Sequence, residues 1–255
     1  MMSVFSEKPR YLHPKLFEVI TAPDIHIGLI LGGIRRGKSL LGYGAMDDLH
    51  TVAAKDVYVF GLPPSKTKLL PSFMKTISNL DDVPDNSALL VDEAYREFYS
   101  RMSMSHRNKF IDTLAALSGQ KGLASIYITQ HARRLERGIV SSVDYILFKK
   151  PSLMQLEFDR PELKPTLMKV RNAFQELKPP ADVNPKEYEK MCTYVMSEDF
   201  MGMVENSNSK PDWWTEDLSK AYAGIPLEEK RTVKDMTEKE ITRLIREYIG
   251  GKKND

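Results

Sequence analysis

The sequence predicts an α/β domain with a mostly parallel central sheet flanked by helices, an edge β-hairpin and a C-terminal extension. Three observations carry that expectation. Short aliphatic and β-branched runs of strand length recur along the chain with helix-length segments between them. One of them, "IHIGLIL" at 25–31, passes through a glycine-rich turn straight into a helical pattern. Another, "SALLVDEAY", is an apolar run that ends in adjacent acids. With 255 residues, 42% of them hydrophobic, the chain is large enough to build one substantial core.

Taken in order, residues 25–31 lack polar alternation, which suits a strand buried on both faces, and "GKSLLGYGAMDDLH" follows as a helix. "DVYVF" at 56–60 is a second strand, stopped by the loop chemistry of "GLPPSKTKLLP". "SALLVDEAY", "ASIYITQ" and "DYILFKK" supply three more. Between the third and fourth strands, Phe110, Ile111, Leu114 and Leu117 stand at helical spacing, with Gly119 and Gly122 as stop signals. "MQLEF" and "TLMKVRNAF", joined by "DRPELKP", are the expected edge hairpin. The expected organisation is an N-terminal extension over 1–23, a core with its hairpin over 24–176, and a C-terminal extension over 177–255. That extension opens with the connector "ELKPPADVNPKEYEK" and closes in an amphipathic helix, where Thr237 and Glu240 fit a capping box and Gly250 is the stop. Trp213 and Trp214 are expected to anchor the tail on the core or on a neighbouring subunit rather than to stack on bases.

Composition narrows the function classes. Lys and Arg number 37 against 35 Asp and Glu, so a formal charge of +2 makes no global case for nucleic acid, and any basic surface must be local. The lone Cys192 excludes an intrachain disulfide framework and suits a reducing compartment. The five histidines show no ligand spacing, which argues against a zinc site. The sequence contains no apolar run of about 20 residues and no signal-peptide core at its start, so a soluble, cytoplasmic protein with no membrane span is expected.

The string "GLILGGIRRGKS" carries the chemistry. Gly32, Gly37, Lys38 and Ser39 match G-x-x-x-x-G-K-S, with a strand before and a helix after. Glycines let the backbone curve around a polyphosphate with N–H groups inward, and the helix N-terminus adds a positive dipole. The expected nucleotide-binding set is Gly32, Gly33, Ile34, Arg35, Arg36, Gly37, Lys38, Ser39 and Leu40. Lys38 is expected on the β- and γ-phosphates and the Ser39 hydroxyl on Mg²⁺, while Arg35 and Arg36 are expected mainly in solvent, with phosphates or a neighbouring subunit as the alternatives. Asp92, ending a buried strand, is placed to hold the metal through water, and Glu93 to accept a proton from an attacking water. Gln130, after the fourth strand, can contact the γ-phosphate or orient that water; a simple loop hydrogen bond is the alternative. Together these predict an ATP- and Mg²⁺-dependent hydrolase.

The succession "GGIRRGKS", "LLVDEAYREF", a helix, "GQKGLASIYITQ" and "GIVSSVDYILF", over roughly 24–175, resembles the zonular occludens toxin-like branch of the FtsK/HerA superfamily. That group includes filamentous-phage assembly ATPases and viral genome-packaging ATPases. The resemblance implies a P-loop NTPase of RecA/FtsK-like fold, acting as a homo-oligomer, usually a hexameric ring, that moves double-stranded DNA. It implies ATP at subunit boundaries completed by a neighbour's arginine, and a capsid, portal or membrane protein as partner. Many relatives carry an arginine where this chain has Gly119, which leaves Lys121, Arg101 and Arg107 as candidate trans-acting cations. The lack of a membrane span favours the packaging branch, in the host cytoplasm or with virions, over filamentous-phage assembly or conjugation-type DNA export. The basic segments "RMSMSHRNK" and "QHARRLER" offer Arg107, Lys109, Arg133 and Arg134 as DNA contacts; intersubunit pairs or a solvated face are the alternative. A nucleotide-dependent switch or a small-molecule kinase is the reading from another class, and the Asp92–Glu93 pair speaks against the kinase.

Overall fold

A parallel sheet whose strands are apolar along their whole length must be covered on both faces, and the chain supplies a cover for each. The computed structural model describes residues 7–62, 64–92, 114, 116–129, 143–158, 161–207 and 210–219. The chain divides into two compact units, residues 1–222 and 223–255, and all described residues lie in the first.

Eight strands form one sheet: β1 (Ile27–Leu31), β2 (Val57–Phe60), β3 (Met74–Ile77), β4 (Ala88–Asp92), β5 (Ala124–Thr129), β6 (Tyr145–Phe148), β7 (Cys192–Ser197) and β8 (Met201–Glu205). Their order is β3-β2-β4-β5-β1-β6-β7-β8. The strands from β1 to β6 are parallel, and β7 and β8 run antiparallel as a hairpin at one edge. The described helices are α1 (Pro14–Ile20), α2 (Lys38–Thr51), α3 (Leu153–Phe158), α4 (Lys164–Gln175), α5 (Pro185–Met191) and α6 (Glu216–Ser219), with further helical turns at 116–121 that end at Gly122.

Alternate residues of each central strand serve opposite faces. Ile30 of β1 and Leu90 of β4 join Leu41, Met46 and Leu49 of α2 and Leu16 and Phe17 of α1 in one core. Leu29 and Leu31 join Phe148, Leu167, Val170 and Phe174 in a second, and Tyr58, Leu89, Val91 and Leu114 form a third.

The expected edge hairpin exists, but other residues make it. Segments 153–158 and 164–175, expected as its strands, are α3 and α4. Leu167, Val170 and Phe174 are the buried residues of α4, a helical spacing that places them together under β1 and β6, while Pro165 sits in the first turn. The hairpin is β7–β8, turned at 198–200, where the Ser197 N–H donates to the Phe200 carbonyl at 2.9 Å. Since β7 pairs with β6, the sheet runs on past the expected core limit at 176.

The N-terminal segment is also built in. The fully buried Asp48 carboxylate on α2 accepts the backbone N–H groups of Arg10, Tyr11 and Leu12 at 2.7–3.2 Å. Burial pushes its pKa up to about 6 even though these N–H groups pull it down. Trp213 donates to Asp47 at 2.8 Å, and both Trp213 and Trp214 meet the Tyr43 ring edge-on, so the tail is anchored to α2 as expected. The expected helix over 237–250 lies outside the described residues.

Candidate phosphate-binding site

The carboxyl end of β1 leads into the glycine-rich loop, and α2 begins at Lys38. Gly37 has φ 83°, a left-handed backbone that glycine adopts without strain. Gly32 is required by close approach: a Cβ there would lie 2.7 Å from Cβ of Lys149. Arg35 also has positive φ, 58°, a conformation that costs a non-glycine residue about 1 kcal/mol and that clusters at functional loops. Lys38 is buried, and its Nζ donates to the Gly33 carbonyl at 2.9 Å, so the lysine closes the loop upon itself. Ser39 follows in the first turn of α2, while Ile34 at the loop tip is 67% exposed.

Sheet order places the acid. Leu31 is in register with Thr129, and Asp92 with Ile128, so β1, β5 and β4 present their carboxyl ends side by side. Neighbouring strands lie about 4.8 Å apart, which sets β4 about 10 Å from β1 across the sheet. One strand, β5, separates the loop's strand from the buried Asp92 carboxylate, at the end of the sheet where open α/β sheets bind ligands. The donor set fits a metal–polyphosphate: a glycine loop, a lysine and a helix N-terminus for the anion, a hydroxyl and a carboxylate for the cation. Glu93 and Gln130, each the next residue after β4 and β5, lie outside the described residues, as do Arg101, Arg107, Lys109, Arg133 and Arg134.

Behind the loop stands a group of residues that the sequence reading did not single out. Lys149 and Lys150 directly follow β6, the strand beside β1. The Gly33 N–H donates to the Lys150 carbonyl at 3.4 Å. Lys149 is 2% exposed and donates to the carbonyls of Lys190 and Cys192 at 2.7 and 3.0 Å, and burial pulls its pKa down to about 7. Glu189 on α5 pairs with Arg36 at 3.3 Å and with Lys150. Arg36 is thus held by a carboxylate, not free in solvent as expected. Paired lysines at a strand's carboxyl end were the available signal, legible once β6 is known to adjoin β1.

Lys121 lies at the opposite end of β5, where its carbonyl accepts the Asn86 N–H and its Nζ donates to the carbonyls of Asp81 and Val83 at 2.9 and 2.7 Å. Among the described residues, no helix is long and apolar enough to cross a membrane.

No family model matches this sequence, and no curated protein matches it. Solved structures do. The DNA-packaging ATPase B204 from Sulfolobus Turreted Icosahedral Virus is similar over 72% of this chain and 98% of its own, at 16% identity and a TM-score of 0.44. The genome packaging NTPase B204 from Sulfolobus turreted icosahedral virus 2, in complex with ATP-gammaS, is similar over 73% of this chain and 98% of its own, at 16% identity and 0.47. A KaiC-like protein from Pyrococcus horikoshii OT3 is similar over 73% and 82%, at 11% identity and 0.37. At such identities and scores, no function passes from those proteins to this one.

Proposed function

We propose that the chain is a Mg²⁺-dependent ATPase that drives DNA translocation, acting as a ring-forming motor that packages a viral genome. The observation that supports nucleotide chemistry is the convergence of the phosphate loop, Lys38 and Ser39 with the buried Asp92 at one end of the sheet, one strand apart. The motor part rests on the resemblance carried by the order of the motifs.

In this reading the loop N–H groups and the α2 N-terminus bind the polyphosphate, and Lys38 exchanges its Gly33 carbonyl for phosphate oxygens. Ser39 and Asp92 would hold Mg²⁺, whose charge offsets that of the phosphates. Glu93 takes a proton from the attacking water as its oxygen bonds to the γ-phosphorus, and ADP leaves with the bridging oxygen. Gln130 orients that water.

The test is steady-state ATP turnover with and without double- and single-stranded DNA, measured beside molecular mass. Turnover stimulated by double-stranded DNA in an oligomer is expected, and Glu93→Gln should keep ATP binding while slowing turnover about a hundredfold or more. Turnover indifferent to DNA would reject the motor, and an undiminished Glu93→Gln variant would reject that base.

A further inference from the structure

Glu189 ties two cations from different parts of the fold. Its carboxylate pairs with Arg36, inside the phosphate loop, at 3.3 Å and with Lys150, just past β6. None of the three is freely solvated: the side chains are 35%, 17% and 21% exposed for Arg36, Lys150 and Glu189. The same helix end touches the loop elsewhere. A Cβ on Gly37 would lie 3.3 Å from the Lys190 carbonyl, which also accepts the buried Lys149 Nζ. The α5 end therefore brackets the loop from behind and carries the acid that engages the loop's arginine. A partly desolvated carboxylate between two cations offsets part of their charge, as an arriving phosphate would.

We propose that Glu189 is a positioning residue of the phosphate loop: an internal counter-anion that holds Arg36 toward α5 and that a nucleotide's polyphosphate must displace to engage this arginine. The inference rests on the nucleotide reading of the loop. Removing the carboxylate frees the Arg36 guanidinium to turn its own charge to the anion. A single charge several ångströms away at a partly exposed position changes affinity about five- to tenfold.

The experiment titrates a fluorescent ATP analogue with Mg²⁺ into the full chain as wild type, Glu189→Gln, Arg36→Ala and the double variant. Glu189→Gln should bind about five- to tenfold more tightly, and that gain should shrink below about twofold when Arg36 is already alanine. Unchanged or weaker binding by Glu189→Gln, the result a merely structural helix contact predicts, would overturn the proposal, as would a gain of equal size without Arg36, which the lost negative charge and the released Lys150 would give by themselves. Should Glu189→Gln lose its cooperative melting transition, Glu189→Asp takes its place. Its carboxylate is drawn back from Arg36 by one methylene and should give an intermediate gain, and no gain would again overturn the idea. A wild type that binds no nucleotide would remove the underlying reading and this proposal with it, an outcome visible in the wild-type titration alone.

Discussion

Asp48 shows how one side chain does work that no motif announces. Its carboxylate gathers three consecutive backbone N–H groups and so fixes the N-terminal segment to α2. Its pKa of about 6 lies above the usual carboxylate value of 3.8, so between roughly pH 4 and 6 the folded chain holds a proton that the unfolded chain has released. Stability from this group is therefore full below that window and declines as pH rises through it. Urea unfolding of wild type and Asp48→Asn at several pH values should show the wild type's advantage shrinking from pH 4 to 6 and constant above. At pH 7 the variant should still be less stable by about 1–3 kcal/mol, since asparagine offers a single acceptor oxygen to three donors.

Among the elements, α3 and α4 show where pattern reading fails. "MQLEF" and "TLMKVRNAF" are short, and their few apolar positions satisfy a period of two almost as well as one of 3.6. Burial decides it: Leu167, Val170 and Phe174 bury together beneath β1 and β6, which a strand's alternation would not allow. Phe174→Ala should cost about 3–5 kcal/mol in urea unfolding, the range for truncating a buried aromatic. A cost below about 1 kcal/mol would mean that α4 does not cover that face. The real hairpin escaped notice because "CTYVMS" and "MGMVE" are strands whose polar flanks read as loop.

For the whole molecule, the proposed ring motor would need a cation reaching into a neighbour's site. Lys121 is 2.7–2.9 Å from two carbonyls at the amino ends of the strands, opposite its own phosphate loop, so a trans role requires it to leave them. Arginine also spreads transition-state charge better than lysine, which favours Arg101 or Arg107. Mixing each of Lys121→Ala, Arg101→Ala and Arg107→Ala with wild-type subunits should reveal the donor. The true one depresses turnover beyond its share of the mixture, whereas dilution in strict proportion eliminates a candidate.

The sequence alone determined the central strands, the glycine loop with its following helix, and the acid at the end of β4, because each is encoded locally: apolar runs make buried strands, and glycines make a loop that a side chain would block. Tertiary structure decided which strands are neighbours. It set β5 between β1 and β4, so that one strand separates the glycine loop from Asp92, and it brought β6 and α5 behind the loop, where Glu189 meets Arg36. Residues 153 positions apart come together there through strand order and burial, and neither is written in any short stretch of chain.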